Sequence, residues 1–202
     1  MKLLNNSGPA IFIYCVIAIS LIISTICFSL YYTEVYEYEA VLWSGIVAFT
    51  IMYHLWLRII MGNISKIFKK YINYKDWWFK EKCFEKKLYK ILCVKKWKGK
   101  ALTYNPELFD LKENSLEEIV NTTIKSETDH WINEIISIST ICFGLIWGKI
   151  WLFILSAAFA MIFDGQFIII KRYNRPRIIK ILEKEKLKMN KNNDEKNYIF
   201  EK

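Results

Sequence analysis

The sequence predicts a mainly α, integral membrane protein with about four transmembrane helices and a small cytosolic insert. Three observations carry that expectation. Apolar residues (53%) and charged residues (24%) hardly mix along the 202-residue chain. Uncharged runs are long enough to cross a bilayer. Lysine and arginine crowd into two of the stretches between and after those runs.

Ala10 to Leu30 carries no charge, and at ~1.5 Å per residue it spans a hydrocarbon core of roughly 30 Å. It lacks a small-residue cleavage signal and is long for a signal-peptide core, so it reads as a retained span. Ala40 to Met61 is the second span, although it contains His54 and Arg58. Ile135 to Ile170 is too long for one span and slightly short for two; Gly148-Lys149 interrupts it, which favours a tight helical hairpin. The expected division is therefore 1–61, two spans with a short outside loop; 62–131, a basic cytosolic or interfacial insert; 132–170, a transmembrane hairpin; and 171–202, a basic cytosolic tail.

Orientation follows from the basic residues. Tyr31 to Glu39 holds three glutamates and no lysine or arginine, and faces outward. The lysine-rich stretch from Gly62 to Lys100 and the tail from Lys171 face the cytosol, so both termini are expected inside in a multi-pass cell membrane protein. The net charge of +9 is accounted for by this bias and by attraction to anionic lipid. No recognition motif accompanies the charge, so no nucleic-acid partner is expected. Five cysteines show no CxxC spacing and read as free thiols.

Within the insert, "YKDWWFKEKCFEKKLYKIL" places Trp77, Phe84, Leu88 and Ile91 on one helical stripe among lysines. Such a helix packs on a small core or lies flat at the lipid headgroups; the leading tryptophans and flanking lysines favour the interface. "VKKWKGKALTYNPELFD" reads as loop or short extended structure, broken by Gly99 and Pro106. In "SLEEIVNTTIKSETDHWINEIISIS", Ser115 and Glu118 have capping-box spacing. Leu116, Val120, Thr123, Glu127, His130, Glu134 and Ile138 then share one face at spacings of three and four. A carboxylate–imidazole pair, Glu127 and His130, thus falls on a covered face where the helix runs into the third apolar region. Burying such a carboxylate costs several kcal/mol unless it is paired, so the pattern asks for a reason.

His54 and His130 are the only histidines. His54 lies near the cytosolic end of the second span with Arg58 four residues on, and Asp164 lies at comparable depth in the last span. Three segments thus bring ionisable groups to one depth: His54 and Arg58, then Glu127, His130 and Glu134, then Asp164 with the basic run Lys171 to Arg177. Intramembrane ionisable groups point to function; the other reading is interhelical pairing, Asp164 with Arg58. No G-x-S-x-G elbow, no histidine followed five residues later by aspartate, and no phosphate-cradling glycine loop is present. Two histidines without clustered spacing give no metal signature, and no cofactor is expected. A histidine general base oriented by a carboxylate, with arginines to hold an anion, suits direct acyl transfer to a hydroxyl.

"YHLWLRIIMGN" (53–63), "WFKEKCFEKKLYKILCVKKWKGKAL" (78–102), "SETDHW" (126–131) and "KRYNRPR" (171–177) occur in one order. Together they resemble the glycosyl-4,4'-diaponeurosporenoate acyltransferase family of Gram-positive bacteria, with "RYNRPR" the most specific piece. The resemblance implies a membrane enzyme that moves a fatty acyl chain onto a sugar hydroxyl of a glycosylated lipid, a glycosyl-carotenoid or another glycolipid. Its donor would be acyl-CoA or acyl carrier protein acting as co-substrate. Carried over by position, the family's E-x-x-H pair is Glu127 and His130, its span-two pair is His54 and Arg58, and its closing motif is Arg172, Tyr173, Asn174 and Arg175. The residue before that motif is usually glutamine; here it is Lys171, which leaves room for a different acceptor. The expected roles are His130 as base with Glu127 fixing its tautomer, Arg172 and Arg175 holding phosphate or oxyanion, His54, Arg58, Tyr173 and Asn174 lining the substrate, and Glu134 and Asp164 behind them. The alternative is a non-catalytic membrane protein that binds lipid or scaffolds a partner.

Overall fold

The computed structural model describes residues 8–68, 73–100 and 106–200. Among them there are helices and turns only: α1 (Gly8–Tyr32), α2 (Glu39–Phe68), α3 (Glu85–Ile91), α4 (Val94–Trp97), α5 (Leu116–Ser139), α6 (Phe143–Trp147) and α7 (Ile150–Phe200), with 3-10 turns between several of them. Three helical stretches are long and apolar enough to cross a membrane: Ala10–Tyr32, Glu39–Ile67 and Ile150–Lys191. Only 17% of the most apolar window in each of the first two is buried by the rest of the chain, leaving a surface suited to lipid. The turn expected at Gly148-Lys149 is present. The limb leading to it differs from a plain span, because a 3-10 segment at Thr140–Cys142 separates α5 from the five-residue α6.

The chain forms two compact units, Met1–Ile64 with Ile135–Ala158, and Ser65–Glu134 with Phe159–Lys202. In the first, α1 and α2 approach closely at Gly45, where an added Cβ would lie 3.0 Å from that of Cys27. Small residues let apolar helices meet backbone to backbone in this way. Phe49 meets Phe28, Tyr53, Phe143 and Trp147, and the Tyr53 hydroxyl pairs with Ser139 Oγ at 2.8 Å. Gly148 closes α6 at φ 73° and ψ −166°, a conformation essentially reserved for glycine.

In the second unit, the N-terminal part of α5 runs antiparallel to α7. Its start is the predicted capping box: the Ser115 N–H donates to Glu118 Oε2 at 2.9 Å, and the Glu118 N–H donates to Ser115 Oγ at 3.3 Å. Val120 and Ile124 pack with Leu182 and Phe79, flanked by Leu116, Ile178 and Ile179. Higher on the same face, burial passes from apolar side chains to Thr123, Glu127 and Glu134.

The insert departs from the expected single helix. Trp77–Phe79 forms a 3-10 turn, and α3 begins only at Glu85. The reason is tertiary: the carbonyls of Trp78 and Phe79, which a continuous helix would give to backbone N–H groups four residues on, accept from Arg172 and Arg175 instead. Of the expected stripe, Trp77, Phe84 and Ile91 are exposed in the chain, while Glu85 and Tyr89 are buried. Cys93 then takes a left-handed conformation, so α4 starts in a new direction. The segment expected to be loop or extended forms α4 and 3-10 turns at Lys98–Lys100 and Pro106–Phe109; its residues 101–105 lie outside the described part. The tail from Ile178 continues as helix, with Pro176 inside it.

Candidate active site

Two polar clusters lie on the α5–α7 face. The first is built on His130. Its Nδ1 lies 2.9 Å from Asp164 Oδ1, and Asn133 Nδ2 donates to the same oxygen at 3.1 Å. Asp164 is 1% exposed, so its charge is held inside the protein rather than in solvent. The Phe167 ring stacks on the imidazole, with centroids 4.9 Å apart and planes 10° apart. An Nδ1–H donated to Asp164 leaves Nε2 as the acceptor, the tautomer a general base requires. Glu134 is buried one turn further along α5, with Oε1 3.6 Å from where a Cβ on Gly165 would sit.

The second cluster joins Glu127, Arg175, Arg172, Glu85 and Tyr89. Arg175 has no exposed surface; one guanidinium nitrogen pairs with Glu127 Oε2, and another donates to the Phe79 carbonyl at 2.5 Å. Arg172 meets Glu85 at 3.0 Å and Glu127 at 3.7 Å, and donates to the Trp78 carbonyl at 2.9 Å. The Tyr89 hydroxyl donates to Glu85 Oε2 at 2.9 Å. Burial, and then the Glu85 carboxylate beside it, hold that hydroxyl above the ordinary tyrosine range, so it stays a donor. Two carboxylates and two guanidinium groups balance, and the cluster fastens the insert to α7.

These positions revise two sequence expectations. Glu127 does not orient His130; Asp164 does, because Glu127 points across to Arg175 in the antiparallel register. Arg172 and Arg175 are not poised on an anion, since each already has a carboxylate partner and a backbone carbonyl. Tyr173 and Asn174 turn to another face of α7: the Tyr173 ring lies edge-on to Tyr89 and beneath Lys98 and Arg177, and Asn174 Oδ1 accepts from Lys98 Nζ at 2.9 Å. His54 and Arg58 share one face of α2, both half-buried, in the first unit. Glu85, Tyr89, Lys98, Asn133 and Phe167 were not singled out from sequence. Only the four-residue spacing of Glu85 and Tyr89 offered a signal, and it was masked by the surrounding lysines.

The sequence profile of the glycosyl-4,4'-diaponeurosporenoate acyltransferase family matches residues 75–184, which hold every member of both clusters. The chain belongs to this family. Family members from Staphylococcus aureus, including those of strains bovine RF122/ET3-1 and USA300, are 31% identical over 147 residues, covering 66% of this chain and 86% of theirs. They carry the name glycosyl-4,4'-diaponeurosporenoate acyltransferase. No solved structure matches the chain significantly. As a member of the family the chain is an acyltransferase.

Proposed function

We propose that this acyltransferase moves a fatty acyl group onto a sugar hydroxyl of a glycosylated lipid at the cytosolic leaflet of a bacterial membrane. The His130–Asp164 dyad is the observation that carries this reading. Between Ile150 and Lys171, α7 rises about 30 Å, the thickness of a bilayer's hydrocarbon core. Asp164 then lies about 10 Å short of the basic end, and positive-inside bias assigns that end to the cytosol. A lipid acceptor reaches this depth without leaving the membrane, while a donor made in the cytosol approaches from the basic side.

In the reaction, the acceptor hydroxyl oxygen attacks the carbonyl carbon of an acyl thioester. His130 Nε2 takes the hydroxyl proton as the O–C bond forms, and returns it to the sulfur as the C–S bond breaks. Asp164 holds the imidazole in the productive tautomer and offsets the positive charge it acquires. Asn133 and Phe167 restrict the carboxylate and the ring. The relatives' name supports a glycosyl-carotenoid acceptor, and the lysine in place of glutamine at position 171 leaves another glycolipid as the substitute.

Lipid profiling by mass spectrometry tests the reading in cells carrying wild type, His130→Gln or no protein. A glycolipid that gains one fatty acyl mass only with wild type is expected. Identical profiles at matched membrane levels, with candidate acceptors present, would overturn it.

A further inference from the structure

We infer that α7 and the segment from α4 to the 3-10 turn after it form the acyl-donor site, recognising a long-chain thioester by its fatty tail and by a phosphate on its carrier arm. This rests on the acyl-transfer reading above and concerns which side chains hold the donor.

On α7, the positions 159, 162, 163, 166, 170, 173, 174 and 177 follow one another at helical spacing along a single stripe. The stripe is apolar at its first end and polar at its second. Its apolar end, with Trp97 of α4, lines an open groove of about 390 Å3 formed by Phe159, Ile162, Phe163 and Gln166. That volume lies within the ordinary range for small-molecule sites. Phe163 meets Phe167 with ring centroids 5.4 Å apart, and Phe167 is the ring stacked on His130. A chain lying in the groove is thus one aromatic residue from the base.

The polar end is set apart by its charge balance. Arg172 and Arg175, on the neighbouring face, are neutralised by Glu85 and Glu127. Lys98, Lys171 and Arg177 instead lie over the aromatic faces of Tyr173, Phe109 and Tyr173 respectively. Lys98 also donates to Asn174, itself one helical turn from both Lys171 and Arg177. Among the described residues these cations meet ring faces, an amide and, for Arg177, the Tyr173 carbonyl rather than a carboxylate, and the positive field that remains suits a phosphate. Trp97 on the groove and Lys98 on the cationic end are consecutive residues, so head and tail recognition adjoin. The phosphate chemistry is common to coenzyme A and to acyl carrier protein, whose thioesters both end in a phosphopantetheine arm.

Equilibrium binding of palmitoyl-CoA and of palmitoyl-acyl carrier protein to full-length protein in lipid nanodiscs tests the inference, with a phosphate-free palmitoyl thioester as reference. Lys98→Gln with Arg177→Gln is expected to weaken both phosphorylated donors by about tenfold or more, the scale of lost charge-assisted contacts. The preference over the phosphate-free thioester should collapse with it. Ile162→Trp, which fills the groove, should shift preference from palmitoyl-CoA to octanoyl-CoA. Loss confined to palmitoyl-CoA or to the carrier-protein thioester would identify which of the two is the donor. Unchanged affinity in folded variants, or no binding to folded wild type, overturns the donor site. Acyl product in cells together with either of those results would remove the donor site alone. Substitution-sensitive binding without acyl product would retain the site and remove the transfer reading.

Discussion

Arg175 and Glu127 form an ion pair with no exposed surface on either side chain, and the same guanidinium closes on the carbonyl of Phe79. Removing one partner of such a pair leaves a charge in a medium that cannot solvate it. Glu127→Gln should therefore destabilise the protein by about 3–5 kcal/mol. Adding Arg175→Met should recover part of that loss, because no charge is then stranded. Thermal unfolding of purified single and double variants measures both. A Glu127→Gln protein of normal stability whose turnover per folded molecule has fallen would return Glu127 to the chemistry.

The Asp164 contact makes a sharper prediction about turnover. Asp164→Asn keeps the size, and its amide oxygen can accept from both His130 and Asn133, but the substitution removes the carboxylate charge. The imidazolium formed when His130 takes the acceptor proton then has no counter-charge beside it. Turnover should fall by about 10²–10⁴-fold, the usual contribution of a positioned base, with the fold retained. Asn133→Ala, which removes only one bond to the same oxygen, should cost less. Steady-state kinetics at matched folded protein decides it: unaltered kcat in Asp164→Asn would detach the dyad from catalysis.

How much of this was readable beforehand depended on the range of the interaction. The Ser115–Glu118 cap, the Gly148-Lys149 turn and the buried face of α5 all rest on neighbours within four residues, and periodicity reports them directly. Glu127 was correctly placed on a covered face, yet its partner was misjudged. His130 is near in sequence, but side chains on a buried helical face meet the opposing helix, and the register that sets Glu127 against Arg175 and His130 against Asp164 is a tertiary fact. Glu85 was hidden differently, since a lone glutamate among lysines in "FEKKLYK" looks like part of a solvated face. The Trp77–Phe79 turn was missed because arginines almost a hundred residues away take the carbonyls that a helix would have used.

Tyr89 and Glu85 predict an alkaline limit on stability. Tyrosine loses its proton near pH 10 when unfolded, and in the folded protein the Tyr89 proton is held more tightly. That contribution is fully present below pH 10 and declines as pH rises through and beyond it. Tyr89→Phe removes the bond to Glu85 and should cost about 1.5–3 kcal/mol at neutral pH, the range for hydrogen bonds to charged groups. The difference in melting temperature between wild type and Tyr89→Phe should shrink above pH 10. A difference that stays constant across that range would mean the Tyr89 proton is not coupled to folding.

The glycines of the first unit separate backbone need from mere tolerance. An alanine Cβ at position 144 would lie 2.7 Å from Ile150 Cα and 2.9 Å from its Cβ, and neither backbone nor branch point yields at that distance. At Gly148 there is open space, but φ of 73° with ψ of −166° penalises any side chain by about 1–3 kcal/mol. Gly62, inside α2 with nothing within 4 Å of its absent Cβ, has neither constraint. Gly144→Ala and Gly148→Ala should both lower the melting temperature, the first by steric conflict and the second by strain. Gly62→Ala should raise stability by about 0.5–1 kcal/mol through helix propensity. A Gly148→Ala protein as stable as wild type would show that the turn between α6 and α7 adopts another backbone geometry.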